Sequence, residues 1–494
     1  MRAYSYGDSS GFTPDSLLMP APERARQPFT GRKPTHNLVN KALIGYLVFM
    51  SIKPKLGPFD LTMIVVGLVI GMGIFRTPIS VARETGTPLL FYMVWVLGGL
   101  VTLCGALTYA EIGSRLPVAG GFYKVLSVGF HPAYSFMINW TLVISNAASI
   151  AAVCIVGAEY IGPVILPAHM QHEGGRKLIA IGAVLVLYGI NMLGIRMSAS
   201  WQNVLTVFKI TLVLLLCLAA FSSQVAPAAE VAVTSVNHSW AYIFGAALVP
   251  VFFTYGGYQQ TINFGSDVRE PARNMPRAIL LGISIILVLY LTVNYAYVKV
   301  IGFEQLKSTE ALAARMAEAF FGEYGFKVTS VLLFLSVLGY ANVNLMSNPR
   351  MYYAMAEDGV LPAVFRRVNN RTQVQEVALS VFAALIIGML YFLSNFDNII
   401  QYVMLFDSIG LASAAATIFV LRRKTAHLDG QGIYKMKLYP LVPAFFITVY
   451  LFVTVNIFIK DLNQALGGMF WFVAGLPIYF FMRYAVRRPG GSNQ

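Results

Sequence analysis

The sequence predicts an all-α integral membrane protein of about twelve transmembrane helices, arranged as two inverted halves with the first and sixth helices discontinuous. Three observations carry this. The 494 residues are 57% hydrophobic and 12% charged, where soluble domains run to about 25% charged. Apolar runs recur along nearly the whole chain, each close to the roughly 20 residues that a bilayer crossing takes. Two of those runs, five spans apart, carry glycine pairs at their centres.

The net charge of +14 would suit a nucleic-acid binder, but the basic residues cluster in short loops between apolar runs. That pattern reads as topology, so the lipid bilayer is the expected partner and nucleic acid is not. Cys104, Cys154 and Cys217 all fall inside apolar runs, which argues against a disulfide framework.

Residues 1–49 are rich in Pro, Arg, Ser and Gly and hold one short apolar run, 42–49. It is too short to span, and Lys53-Pro54-Lys55 follows it where a signal peptide would need small residues. Met50 reads as a natural start. The segment 1–56 is therefore expected to be a cytoplasmic tail, disordered or in part the product of an upstream start codon.

Candidate spans then lie at 59–82, 89–112, 132–164, 178–194, 200–222, 241–265, 277–300, 327–354, 377–394, 398–421, 438–459 and 466–484. With the N-terminus inside, the cytoplasmic loops hold Arg115 and Lys124, Arg196, Arg269 to Arg277, Arg366 to Arg371, and Arg422 to Lys437, while 222–239 has no Lys or Arg. Both termini are expected in the cytoplasm, in a cytoplasmic membrane.

The first span contains Gly67-Leu-Val-Ile-Gly-Met-Gly-Ile-Phe-Arg-Thr-Pro78. Glycine loosens a helix and proline removes a donor. Exposed backbone at membrane depth is tolerated only against protein or a water-filled cavity. A break at Gly71–Gly73 that uses the released groups is one reading, and a glycine pair for close helix packing is the other. The sixth span tips the balance, because Pro250-Val-Phe-Phe-Thr-Tyr-Gly-Gly-Tyr-Gln-Gln260 places Gly256 and Gly257 in mid-span as well. Five helices in each half make the halves inverted, and paired broken helices point to a site at the midplane.

These residues resemble the amino acid–polyamine–organocation superfamily of transporters, and within it the L-type amino acid transporter branch and its bacterial relatives. The matching pieces are ordered along nearly the whole chain after residue 56. They are Gly71-Met-Gly-Ile-Phe75 with Pro78, Tyr109-Ala-Glu-Ile-Gly113 with Pro117 and Gly120-Gly121-Phe-Tyr123, and Phe253-Thr-Tyr-Gly-Gly257. Asp267-Val-Arg-Glu-Pro271, Arg273-Asn-Met-Pro-Arg277, Asn348-Pro-Arg350 and Asp358-Gly-Val-Leu-Pro362 follow. The resemblance implies a five-plus-five inverted repeat of the leucine-transporter kind. The repeats would be 57–222 and 240–424, followed by peripheral helices in 436–486 and a cytoplasmic tail at 487–494. It also implies secondary active transport of amino acids by alternating access.

An amino acid is a zwitterion, and broken helices can hold one without full opposite charges. The half-helix after the first break would offer N–H groups of Gly71, Met72, Gly73 and Ile74 to a carboxylate. Carbonyls near Ile70 and from Phe253, Thr254 and Tyr255, beside Gly256 and Gly257, would take the ammonium. The resemblance makes Phe253 an outer gate, where an ordinary core- or lipid-facing aromatic is the alternative. Met72 departs from the family's serine, and methionine cannot donate to a carboxylate, which makes a carboxylate-poor substrate more credible.

Lys209 lies about two turns inside the fifth span, where it either snorkels to the interface or takes the place of a coupling ion beside the first break. The resemblance supports the second reading, since sodium-independent members carry Lys there. Arg76 and Asp407 are charges at depth and each needs a partner. They are expected to pair across an outer vestibule, the alternative being two separate water-filled crevices. Asn342 and Asn344 stand two apart and cannot both face a substrate. One of them lining the pocket would favour small or polar neutral amino acids. Asn139, Ser145, Asn146 and Ser149 give the third span a polar face for the pocket or for helix pairing. Glu111 with Arg115 reads as an i,i+4 pair at a boundary, or as an inner gate. Asp60 reads as a cap of the first span, and Glu159 has no assigned role.

The sequence carries no phosphate-binding Gly-x4-Gly-Lys-Ser/Thr loop and no His-Glu-x-x-His. No enzyme, metal or cofactor is therefore expected. Animal relatives join a heavy chain through a cysteine between spans three and four, and 166–176 has none, so a disulfide-linked partner is not expected. The leading expectation is sodium-independent exchange of small or neutral amino acids. Proton-coupled transport of amino acids or polyamines stands as the alternative. A non-transporting sensor would need a signalling extension, for which only residues 1–49 are available.

Overall fold

The computed structural model describes residues 54–219, 239–309, 312–392, 396–460 and 462–487. The expectations for residues 1–49 fall outside them. Fifteen α-helices follow in order among the described residues. They are α1 (Pro58–Val69), α2 (Gly73–Thr85), α3 (Pro88–Arg115), α4 (Gly121–Gly129) and α5 (Pro132–Ile165), then α6 (Glu173–Met192), α7 (Ile195–Ala219), α8 (Trp240–Tyr255), α9 (Pro271–Ile301) and α10 (Phe303–Leu306). The last five are α11 (Leu312–Glu357), α12 (Glu376–Phe392), α13 (Phe396–Lys424), α14 (Leu441–Lys460) and α15 (Leu462–Arg487). Eleven segments are long and apolar enough to cross a membrane, and the shorter apolar helix Glu376–Tyr391 makes a twelfth. The protein is an all-α multi-pass membrane protein.

Local chemistry sets the helix starts. Proline stands in the first turn of α1, α3, α5 and α9, where its missing donor costs nothing and its fixed φ suits the helix. Thr87 Oγ1 accepts from Leu90 N–H at 3.3 Å at the head of α3. Asp60 sits inside the first turn of α1, three residues past the N-cap Gly57. Its Oδ2 accepts from Gly57 N–H at 3.1 Å, and its Oδ1 accepts from Asn203 on α7.

The two interruptions differ in kind. The first span stops at Val69 and resumes at Gly73, both halves α-helical. The sixth span stops at Tyr255 and continues as a 3-10 turn over Tyr258–Asn263, where the sequence reading carried one span to 265. Gly257 makes the turn, with φ at 109°. A Cβ there would also lie 2.4 Å from the carbonyl oxygen of Leu68, so only glycine lets the sixth span approach the first so closely. Helix α4, not foreseen from apolar runs, lies between the second and third spans and buries Phe122, Tyr123, Val125 and Leu126. Span eight begins earlier than expected, because α11 extends back to Leu312 across a kink at Gly322.

One face of the molecule carries the start of α1 and the ends of α3, α11 and α13, and with them a set of buried charges. Glu111 is fully buried and binds Arg115 Nε at 2.8 Å, Arg422 Nη2 at 2.7 Å and the Met436 N–H at 2.9 Å. Arg115 reaches on to Thr425 Oγ1 and to Asp429. Outside the spans, the Lys435 hydrogen bond holds the Asp429 carboxyl below its ordinary range, Arg115 adding to it against the opposing effect of burial. Glu111 thus joins α3 to α13 and to the loop before α14. It exceeds the i,i+4 pair expected of it, and it is not among the residues around the central cavity described below.

Removing one member of such a network leaves buried charge uncompensated. Glu111→Ala is expected to lower stability by about 3 kcal/mol, read as a fall in the thermal midpoint of detergent-solubilised protein. An unchanged midpoint would show the network to be incidental.

Candidate functional site

The break in the first span exposes both ends of a helix. Ile70 closes α1 in an extended conformation, and Gly71 N–H turns back to Val69 O at 2.8 Å. Helix α2 then starts at Gly73 with Met72 as its N-cap. The N–H groups of Met72, Gly73 and Ile74 bond no described acceptor, so they and the helix dipole are available to an anion. Gly71 drops out of the expected donor set because its N–H is already used.

The carbonyl end is served by a lysine. Lys209 on α7 is fully buried, and its Nζ donates to Gly67 O at 3.0 Å and to Ile70 O. It does not run out to the interface. A cation at a helix C-terminus satisfies both orphan carbonyls and the dipole. Gly339 on α11 makes the room, since a Cβ there would sit 2.7 Å from Lys209 Cε. Ile70 O is therefore committed to Lys209, a correction to its expected role on the substrate ammonium.

In the sixth span, Gly257 N–H turns to Gln259 Oε1 at 2.9 Å. The carbonyls of Thr254 and Tyr255 at the end of α8 accept no described donor. The Tyr255 side chain points away, with its ring 5.7 Å from that of Trp95 and 5.2 Å from that of Tyr290. The two broken spans are tied where they face each other. Thr77 Oγ1 and Thr254 Oγ1 lie 2.6 Å apart, and a Cβ on Gly73 would meet Thr254 Oγ1 at 2.8 Å.

Both breaks open on one cavity of about 40 Å³, room for about three waters. Gly71, Met72 and Gly73 line it from the first span, and Phe253, Thr254, Gly256 and Gly257 from the sixth. Any amino acid needs more room, so the lining helices must part to admit one. Asn146 and Ser149 of the third span also line it, while Asn139 and Ser145 do not. Asn146 donates to Asn348 Oδ1 at 2.8 Å, and Ser149 Oγ lies 3.2 Å from Tyr340 OH.

Three expectations change. Asn342 lies away from the cavity: its side chain binds Asn191 and Gln202 at 2.8 and 2.9 Å and joins the eighth span to the fourth and fifth. Asn344 donates to Tyr340 O on its own helix and does not line the cavity either. The lining residue of span eight is Tyr340, so the asparagines that favoured small neutral substrates are not at the cavity. Arg76 and Asp407 do not share a cavity. Asp407 lines the central cavity. Arg76 lines a second one of about 160 Å³, with Glu84 on its own helix, Tyr242 of α8 and Lys460 of α14. The alternative of two separate crevices describes them. Ile74 is buried and contributes only its backbone. Glu159 lies 3.4 Å from Arg176.

Beyond Gln260 the chain is closed by a group of contacts that sequence reasoning quoted as motifs without a role. Asp267 Oδ2 binds Arg350 Nε at 2.6 Å, and the guanidinium lies 4.5 Å from the centre of the Phe264 ring. Lys55 and Leu56 N–H both donate to Asp267 O, and Arg269 N–H donates to Leu56 O. The lead-in to α1, the end of the sixth span and the end of the eighth are thereby held together. The signal was the pairing of an acidic motif after span six with a basic one ending span eight.

A family described as amino acid permease matches residues 56–482. The serine/threonine exchanger SteT of Bacillus subtilis is 29% identical over 439 residues, covering 88% of this chain and 98% of its own. The Asc-type amino acid transporter 1 of Mus musculus is 25% identical, covering 87% of this chain and 81% of its own. The cystine/glutamate transporter of Pongo abelii is 25% identical, covering 86% and 84%.

Arg350→Ala should loosen the closure below Gln260. A cysteine introduced as Gln260→Cys, with Cys104, Cys154 and Cys217 replaced, should then react with an impermeant maleimide from the Arg350 face about tenfold faster, given the cost of breaking a buried pair. Equal rates with and without Arg350 would remove Asp267 and Arg350 from any gating role.

Proposed function

The chain belongs to the amino acid permease family, and from that premise we propose that it exchanges amino acids across a cytoplasmic membrane by alternating access, without sodium. The observation that carries this is the opposition of the two breaks across one cavity. Met72 and Gly73 line it on one side and Thr254 on the other, and the N–H groups of Met72, Gly73 and the adjoining Ile74, like the carbonyls of Thr254 and the adjoining Tyr255, meet no described partner. That arrangement complements the carboxylate and ammonium of a zwitterion. Met72 contributes through its backbone, so the missing serine hydroxyl removes one donor and leaves the others. The relative named as a serine/threonine exchanger supports exchange, and the one named as a cystine/glutamate transporter supports amino acid transport.

Sodium independence rests on Lys209. Its ammonium sits on the carbonyls of Gly67 and Ile70, a place where a bound cation would otherwise have to satisfy them. The positive-inside rule assigns the face bearing Arg115, Arg350 and Arg422 to the cytoplasm, so both termini lie there and the Asp267–Arg350 contact is the inner closure. Phe253, on the cavity wall beside the second break, is the outer cover. The repeats are 57–222 and 240–424, and the protein works without a disulfide-linked heavy chain.

Proteoliposomes loaded with an amino acid mixture should take up labelled amino acid at the same rate in sodium and in choline buffer, and empty vesicles should take up almost none. Lys209→Ala should lose about tenfold or more of this exchange, because two carbonyls at depth lose their donor. Uptake into empty vesicles that follows an acid-outside gradient would replace exchange by proton symport.

A further inference from the structure

Asp407 lies on α13, in the tenth span, and has no work in holding the zwitterion. It lines the cavity with both breaks, and its carboxylate accepts no hydrogen bond or ion pair from a described residue. No Lys, Arg or His is among the lining residues. The buried cation beside the first break, Lys209, is committed to Gly67 and Ile70. Gln260 of the sixth span adds a second acceptor to the cavity lining, a buried Oε1 without a described partner.

We propose that Asp407 makes this a carrier of amino acids with a positively charged side chain. The proposal rests on the reading above, in which the main-chain groups of the substrate are held by the two breaks. With the carboxylate on the N–H groups of Met72 to Ile74 and the ammonium on the carbonyls of Thr254 and Tyr255, Asp407 is left over for the side chain. An ionised carboxylate at membrane depth is costly unless a cation meets it. A lysine-type ammonium brings three donors and a guanidinium five, enough to engage both Asp407 and Gln260 Oε1. A leucine or serine side chain leaves the carboxylate uncompensated when the cavity closes. Discrimination of this kind acts through what is left unpaired, and it exceeds what an apolar pocket achieves by shape.

The test is exchange in loaded proteoliposomes with labelled lysine, ornithine, leucine and serine, for the unmodified chain and for Asp407→Asn. Lysine and ornithine should show exchange efficiencies at least about tenfold above leucine and serine. Asp407→Asn should lower the lysine-to-leucine ratio by about tenfold or more. Exchange of leucine or serine that lysine does not inhibit would overturn the proposal in the unmodified chain alone, whether or not the variant folds. So would an unchanged ratio in a monodisperse Asp407→Asn protein, or equal loss of all four substrates, which would put Asp407 on the substrate's own ammonium. Loss of only the pH dependence of exchange would make Asp407 a proton site and overturn it too. Failure to exchange any amino acid would instead sink the proposed function itself.

Discussion

The contact on which the rest depends is the buried Lys209 ammonium on the carbonyls of Gly67 and Ile70. A helix that stops inside an apolar span leaves carbonyls that lipid cannot satisfy. One cation from the fifth span meets two of them. It does so because Gly339 on the eighth span leaves room for its stem. With that end settled, the chain can turn through Gly71 and restart at Gly73, which presents N–H groups to the cavity. Three spans are therefore needed to make one break.

The second break is built differently and is matched to the first by contact. Gly257 lets the sixth span lie against Leu68 O, and the Thr77–Thr254 hydrogen bond ties α2 to α8. Those two half-helices share a hydrogen bond and a close glycine contact, which suits movement as a pair. On the opposite side the sixth span ends in the Asp267–Arg350 contact with the lead-in to α1. A cavity too small for an amino acid, with a tied pair on one side and an ion pair on the other, is the geometry that alternating access requires.

Two carboxylates in the spans contrast, Glu111 and Asp407. The group around Glu111 is fully paired, and it welds α3, α13 and the loop before α14. Asp407 has no such partner among the described residues and lines the cavity. Buried networks that are complete hold a scaffold, whereas a half-buried carboxylate at membrane depth without a donor marks a place where something else must bind or react.

Much of the architecture was legible in the order of residues. Apolar runs located most of the spans within a few residues, and the glycines at 71, 73, 256 and 257 located both breaks, because lipid imposes length and backbone satisfaction on any spanning segment. Lys209 was readable as a cation beside the first break. The partners of side chains were not. Asn342 and Tyr340 lie two residues apart on one helix, and only packing decided that Tyr340 meets the cavity while Asn342 binds Asn191 and Gln202. Likewise Arg76 and Asp407 looked like complementary charges at similar depth, yet α2 turns Arg76 toward α8 and α14 and leaves Asp407 on the central cavity. Hydropathy and helix-breaking residues are properties of a segment and can be read from it. The rotation of each helix about its axis depends on all its neighbours at once, so the tertiary structure alone decides which polar group faces the substrate.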